Sequence, residues 1–257
     1  SEFHDMDWLN SQLRATEDVE IKSLTNSHTT LVLAGPKSRD VLSEASRDDW
    51  SREAFPWLSV CETFIGIAPA IVMSVSFSGE LAYEIHVPNE NLYAAYKVLR
   101  KIGEAHGMCL FGLRAVESMR MEKGFLHWKS EILTEFDPFE TGLDRFVKLE
   151  KKEFIGKKFL LVRKNNGPKK LLVTLDIECN HAPAHGGSSV RMNGSIIGTV
   201  TSGDWGHRTG LNLALAFVDP LFLDSKSTLT VDIIGERIRA RVIPASPFDP
   251  TFDKMRG

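Results

Sequence analysis

The sequence has 257 residues, of which 42% are hydrophobic and 25% charged, with a formal net charge of -3: an ordinary globular composition, long enough for one large domain or two modest ones. That charge gives no broad drive toward nucleic acid or an anionic membrane, and no apolar run approaches the ~20 residues of a membrane-spanning helix. Cys61, Cys109 and Cys179 lie far apart with no CxxC, which argues against a disulfide framework or a zinc site and for a reducing compartment.

Ser1-Glu2-Phe3 has no initiator Met and no signal-peptide pattern, and reads as a cloning scar or the edge of a longer polypeptide. A short helix is expected over 4–15, with Asp5 as its cap and Trp8, Leu9 and Leu13 on one face. Alternation predicts strands over 19–25 and 28–34. Gly35-Pro36 comes next, and Pro36 suits the first turn of a helix reaching about Ala45. No GxGxxG or GKS/T accompanies it, so a phosphate loop is not indicated. Residues 47–56 read as loop and a short helix, and Ile71 to Phe77 as a buried strand.

Gly79 then breaks the apolar run, and Pro88 ends the next extended segment. Between them the residues alternate. Leu81, Tyr83, Ile85 and Val87 share one strand face; Ala82, Glu84 and His86 share the other. Glu84 therefore projects from mid-strand and has two readings. One is a half-solvated polar face. The other is a carboxylate fixed on a rigid element to accept two N–H bonds from a planar heterocycle, a strong arrangement when charge-assisted.

An amphipathic helix is expected over 89–106, with Gly107 as its C-terminal cap, and a second over 112–123 with Leu113, Val116, Met119 and Met121 as its apolar side. Arg120 and Glu122 point in different directions, and Glu122 reads either as a support residue or as part of an exposed face. Gly124 ends that helix. His127 reads as a solvent-facing loop histidine, with no second His or Cys at metal-ligand spacing. A turn or short helix opens at Asp137-Pro138, and a helix is expected over 154–162. Asn165-Asn166-Gly167-Pro168 is the clearest linker. Beyond it strands are predicted over 170–177, 189–192, 196–202, 211–218, 227–234 and 237–243, with Asn193-Gly194 a strong hairpin signal. Short strands with tight turns argue for a small barrel or sandwich. The run from Pro244 to Pro250 is expected to lie extended across the surface.

Gly79-Glu80-Leu81-Ala82-Tyr83-Glu84-Ile85-His86-Val87-Pro88 resembles the folate-site strand of the aminomethyltransferase (glycine-cleavage T-protein) superfamily. The run from Ser118 to Lys129, the run from Pro138 to Asp144 with Phe154-Ile155-Gly156-Lys157, and the barrel segments 198–203 and 213–218 extend the likeness over almost the whole chain. Together they resemble the C-terminal, folate-binding part of dimethylglycine and sarcosine dehydrogenases. The resemblance implies an α+β fold. An aminomethyltransferase-like folate-binding domain, without its N-terminal part, occupies residues 1–164, and a small C-terminal β-barrel occupies residues 169–257.

It also implies a chemistry. In those dehydrogenases an FAD domain oxidises an N-methyl amine to an iminium, and the C-terminal part binds tetrahydrofolate and captures the one-carbon unit as 5,10-methylenetetrahydrofolate. Carried over by position, Glu84 would accept hydrogen bonds from the pterin. Tyr83 precedes it as the family's aromatic, although alternation sends it to the opposite face. Phe77 and Trp128 would line the pterin and aminobenzoyl rings. Arg145 would meet the glutamate tail, or else is a solvated surface arginine. Val116 stands where T-proteins carry a folate-contacting arginine, which favours the dehydrogenase branch. The family's catalytic aspartate lies outside this sequence, and no metal site is implied. FAD would belong to a covalently linked or separate domain, because no FAD-binding GxGxxG occurs here. The implied partners are folate and a methylated amine, not nucleic acid or membrane, in bacterial cytoplasm or the mitochondrial matrix. A stand-alone aminomethyltransferase, a folate-dependent demethylase and a non-catalytic regulatory relative remain as alternatives.

Overall fold

The computed structural model describes residues 2–223 and 228–257. The chain forms two compact units. One comprises Ser1–Ser76, Leu81–Cys109 and Arg256–Gly257; the other comprises Phe77–Glu80 and Leu110–Met255.

The first unit contains α1 (Glu2–Gln12), β1 (His28–Ala34), α2 (Ser38–Ala45), β2 (Val60–Ile65), β3 (Ala68–Met73), β4 (Ala82–Pro88) and α3 (Leu92–Ala105). Its four strands form one antiparallel sheet in the order β1-β4-β3-β2. The alternation of β4 is realised: Leu81, Tyr83, Ile85 and Val87 are buried, while Glu84 and His86 are half-buried on the other face. The buried face joins Leu33 and Val72 and packs against Val41 and Leu42 of α2 and Ala95 and Leu99 of α3. Period-two burial on the sheet meets helical-period burial on the two helices, the usual two-layer solution for a single core.

Three expectations change here. Residues 19–25 form no strand; Val19 and Leu24 are exposed and no ladder partner reaches them. The strand expected over 71–77 ends at Met73, where its pairing with β4 stops. Local pattern did not predict β2, an edge strand that among the described residues pairs only with β3. An edge strand with one partner carries a weaker sequence imprint than a central one.

The second unit contains α4 (Leu113–Lys123), α5 (Pro138–Thr141), α6 (Lys157–Asn166), β5 (Leu171–Ile177), β6 (Ser189–Met192), β7 (Ser195–Gly206), β8 (Leu211–Val218), β9 (Leu229–Ile233) and β10 (Glu236–Ile243). The six strands close into a barrel in the order β10-β5-β8-β7-β6-β9. Closure removes exposed sheet edges. Leu175, Val190, Val200, Ala214, Ala216, Val231 and Ile233 fill the interior. On the outside of β8, Leu213 and Leu215 pack with Met121 of α4. The Asn193-Gly194 hairpin forms as expected, with both residues at positive φ. The helix expected over 154–162 begins later, after Gly156 at φ 90°, and runs to Asn166. Of the strand expected over 227–234, Ser227 lies outside the described residues and the ladder begins at Leu229.

The main departure is α4. Of its expected apolar side only Met121 is fully buried, and Leu113 is 86% exposed. The helix instead buries Arg120, Glu122 and Lys123, so the exposed-face reading of Glu122 is wrong. Each charge has a partner from elsewhere in this unit. The Arg120 guanidinium donates to Glu117 and to the Ser202 hydroxyl (2.7 Å), and pairs with buried Glu131 at 3.2 Å. Glu131 in turn accepts from the Thr201 and Ser202 hydroxyls and the His127 N–H. Glu122 pairs with Arg208. Lys123 Nζ lies 3.0 Å from Asp249 Oδ2 and also donates to the Asp249 carbonyl. Gly124 at φ 70° caps the helix, and a Cβ there would sit 1.9 Å from the Ala245 carbonyl oxygen. The irregular stretch after Pro244 is held to α4, with the Asp249 carboxylate buried and the Phe248 N–H donating to the Glu122 carbonyl.

Burial alone would push the Asp249 carboxyl up. Hydrogen bonds from Lys123 and from the backbone N–H groups of Lys254 and Asp253 outweigh it, and the group titrates below the usual carboxylate range. A lowered folded-state pKa gives stability that is present above the unfolded value, near pH 4, and lost as pH falls through the folded one. Asp249→Asn should therefore cost about 3 kcal/mol at pH 7, the scale of breaking a buried ion pair. The gap between variant and wild type should narrow below about pH 4 in denaturant titrations.

Candidate functional site

The face of the four-stranded sheet opposite the core carries the side chains of interest. Strand register sets them in rows. Val32, Glu84, Met73 and Val60 stand side by side across β1, β4, β3 and β2. Thr30, His86, Ile71 and Glu62 form the next row. Glu84 thus has an apolar neighbour on each side in its own row. Its side chain retains 37% of its exposure. A carboxylate so flanked is reachable by a ligand and partly shielded from water, which strengthens any hydrogen bond it accepts.

His86 is the neighbour in the adjacent row. Its Nε2 lies 3.4 Å from Glu84 Oε2, within ion-pair reach, yet that nitrogen is buried with no hydrogen bond of acceptable geometry. The ring's other nitrogen is 3.0 Å from the Thr30 hydroxyl. An orphaned polar atom beside a half-exposed carboxylate is the kind of arrangement a polar ligand completes. A groove of about 490 Å³ opens along the same face, with His28, His86, Ile71, Glu62 and Phe64 among its walls. Asp48 at its edge is held below the usual carboxylate range by hydrogen bonds from the Thr63 and Ser46 hydroxyls. Among the described residues no group of three or more His, Cys, Asp or Glu is placed to hold a metal ion.

Of the other expected site residues, Tyr83 is on the opposite face of β4, and Phe77, Trp128 and Arg145 belong to the second unit. Tyr83 is fully buried on the core side of β4, its ring 6.3 Å from those of Trp50 and Phe55, and its hydroxyl accepts from Arg39 Nε at 3.1 Å. In the second unit, Phe77 is partly exposed and stacks on Phe125, with centroids 6.2 Å apart and planes 7° from parallel. Trp128 is 67% exposed on the loop that Glu131 ties down. Arg145 is exposed, its guanidinium 4.8 Å from the Phe146 ring. Val116 is half-buried, and His127 is exposed as its loop position suggested.

Two residues that the pattern reading did not single out are central to the second unit. Arg208 sits in the β7–β8 hairpin and Glu131 in the loop after α4; Arg208 bonds to Glu122, 86 residues away in sequence, and Glu131 to Arg120, 11 residues away. Nothing local distinguishes them. A polar residue in a tight turn is what any hairpin carries.

Residues 1–151 match the GCVT N-terminal domain, and residues 170–249 match the glycine cleavage T-protein C-terminal barrel domain. Human mitochondrial dimethylglycine dehydrogenase is 31% identical over 260 aligned residues, covering 100% of this chain and 30% of that protein. Mouse mitochondrial sarcosine dehydrogenase is 30% identical, covering 88% and 26%. An aminomethyltransferase of Thermoanaerobacter pseudethanolicus is 27% identical, covering 97% and 67%. The chain thus spans about 30% of the length of the dimethylglycine dehydrogenases it matches. The crystal structure of aminomethyltransferase T from Bartonella henselae superposes with a TM-score of 0.75 at 24% identity, over 89% of this chain and 60% of that one, which identifies the fold.

The burial of Tyr83 generates a test. Tyr83→Ala should destabilise the chain by about 3–5 kcal/mol, the range for emptying a large aromatic site. Tyr83→Phe should cost about 1 kcal/mol, the net value of the lost hydroxyl bond. Chemical denaturation of both variants measures the difference.

Proposed function

Because the chain belongs to the glycine cleavage T-protein family, we propose that it is the tetrahydrofolate-binding, one-carbon-transfer portion of an N-methyl amine dehydrogenase of the dimethylglycine/sarcosine type, forming 5,10-methylenetetrahydrofolate. The observation that carries this reading is Glu84: a half-exposed carboxylate at mid-strand, between Val32 and Met73, 3.4 Å from a buried imidazole nitrogen that makes no hydrogen bond.

In this reading Glu84 accepts hydrogen bonds from the amino and ring N–H groups of the pterin. A strand fixed by ladders on both sides holds the carboxylate in place, so little ordering is left to be done on binding. Val32 and Met73 give it an apolar neighbour on each side. Phe77 and Trp128 are assigned to the aromatic parts of the folate and Arg145 to its glutamate tail. Tyr83, from the core side, supports the strand rather than touching the ligand. Tetrahydrofolate supplies the nitrogen nucleophile that takes up the one-carbon unit. The chain's own contribution is to bind and orient, which can be worth on the order of several kcal/mol. The methylated amine is the other substrate. FAD-dependent oxidation is assigned to a part of such a protein not represented in this sequence. Bacterial cytoplasm or the mitochondrial matrix is the proposed setting. Among the described residues no helix is long and apolar enough to cross a membrane. The 67% coverage of a bacterial aminomethyltransferase supports a second reading, a folate-dependent aminomethyltransferase without a flavin domain.

Calorimetric titration of tetrahydrofolate into the wild-type chain and its Glu84→Ala and Glu84→Gln variants tests the assignment, with circular dichroism to verify folding. A hydrogen bond to a charged group is worth about 1.5–3 kcal/mol, so Glu84→Ala should weaken binding about tenfold or more. Glu84→Gln should fall between, since it keeps the shape and loses the charge. Equal affinity in all three proteins would remove Glu84 from the site, and a folded wild-type chain that binds no folate would count against the function.

A further inference from the structure

We propose that Arg208 is a positioning residue for the folate site: it holds the Phe77–Glu80 turn in the conformation that presents Phe77 and leads the chain into β4. This rests on the folate reading above, because Phe77 is one of the rings assigned to the ligand.

The turn and the β7–β8 hairpin belong to the same compact unit. From the hairpin, the Arg208 guanidinium reaches four acceptors. Nη1 donates to Glu80 Oε1 at 2.7 Å, Nη2 donates to the carbonyls of Ser78 and Met119 at 2.9 Å each, and Nε donates to Glu122. Phe248 covers the guanidinium, its ring centroid 3.7 Å from Cζ. The planar fork can serve acceptors in several directions at once, which a lysine ammonium on a flexible stem does not reproduce.

The reach of Arg208 is more than Glu122 requires. That buried carboxylate also accepts from the backbone N–H groups of Arg208 and Thr209, at 2.6 and 2.8 Å, and from the Thr209 hydroxyl. The guanidinium passes beyond it to the backbone and side chain of the turn. Gly79, at φ 80°, lets the turn close over Lys123: a Cβ there would lie 3.0 Å from the lysine Cδ. Phe77, at the start of the turn, is set parallel to Phe125. Glu80 ends it, four residues before Glu84 in the chain.

Arg208→Lys separates this role from support of the barrel. It leaves a cation for Glu122 and removes the fork to Ser78, Glu80 and Met119. The variant should keep its circular dichroism spectrum and a cooperative melt. Amide hydrogen exchange over residues 78–80 should speed up about tenfold relative to the barrel strands, as a local opening would. Calorimetric titration should show tetrahydrofolate bound about five- to tenfold more weakly. Arg241→Lys is the control: Arg241 pairs with Asp176 at 2.7 Å on the barrel strands β10 and β5, so exchange at the turn and folate affinity should match wild type. Wild-type exchange at the turn in Arg208→Lys would overturn the assignment whether or not folate binds. Faster exchange with unchanged affinity would reduce Arg208 to a structural clamp and overturn the positioning role. A wild-type chain that binds no folate would overturn the reading on which the role depends, a result distinct from either.

Discussion

Three charges from four consecutive residues, Arg120, Glu122 and Lys123, are buried on one helix, and the second unit is arranged around the need to pair them. A buried ion without a partner costs several kcal/mol, so a helix of this composition cannot pack against an apolar wall. Each charge instead draws in a different segment. Arg120 brings Glu131 and the loop bearing Trp128; Glu122 brings the β7–β8 hairpin through Arg208; Lys123 brings the C-terminal stretch through Asp249. The pairs add little net stability compared with an apolar core of equal volume. What they do instead is tie three separate segments to one helix. Gly124 belongs to the same solution, because the approach of the Ala245 carbonyl leaves no room for a side chain.

The first unit solves a simpler problem by alternation. One face of its sheet is closed by α2 and α3, and the other carries Glu84 among apolar neighbours. Because β4 is a central strand, with β1 on one side and β3 on the other, the carboxylate has little freedom to move with a loop. The pterin contact proposed for it needs such fixed placement, because small displacements lose paired hydrogen bonds together. Tyr83 is the counterpart on the core side, anchoring the strand through Trp50, Phe55 and Arg39.

The two units place their polar groups on rigid elements in different ways. The one-carbon chemistry proposed for the chain calls on position more than on acid–base power, and the structure offers rigid placement: a carboxylate on a strand in one unit, and in the other a set of loops tied to a helix by ion pairs. Similarity to dimethylglycine dehydrogenase along the full chain, and to an aminomethyltransferase along most of it, accords with a module shared between longer proteins.

The range of each interaction decided whether it was legible in the sequence. The face assignment of Glu84, the Asn193-Gly194 hairpin, the Gly124 cap and the strand-rich second half all rest on periods or turn preferences spanning a few residues, and the sequence by itself determined them. The family likeness came from four short motifs in order. Only the tertiary structure decided that β2 pairs at a sheet edge, that 19–25 finds no ladder partner among the described residues, that α4 buries its charges alongside Met121, and that Arg208 reaches the turn before β4. These depend on partners 86 to 130 residues away in the case of Arg208, and on 126 for Lys123 and Asp249. A local window reads a charged helical residue as solvent-facing because the ion that will neutralise it belongs to a distant part of the chain, and only folding brings the two together.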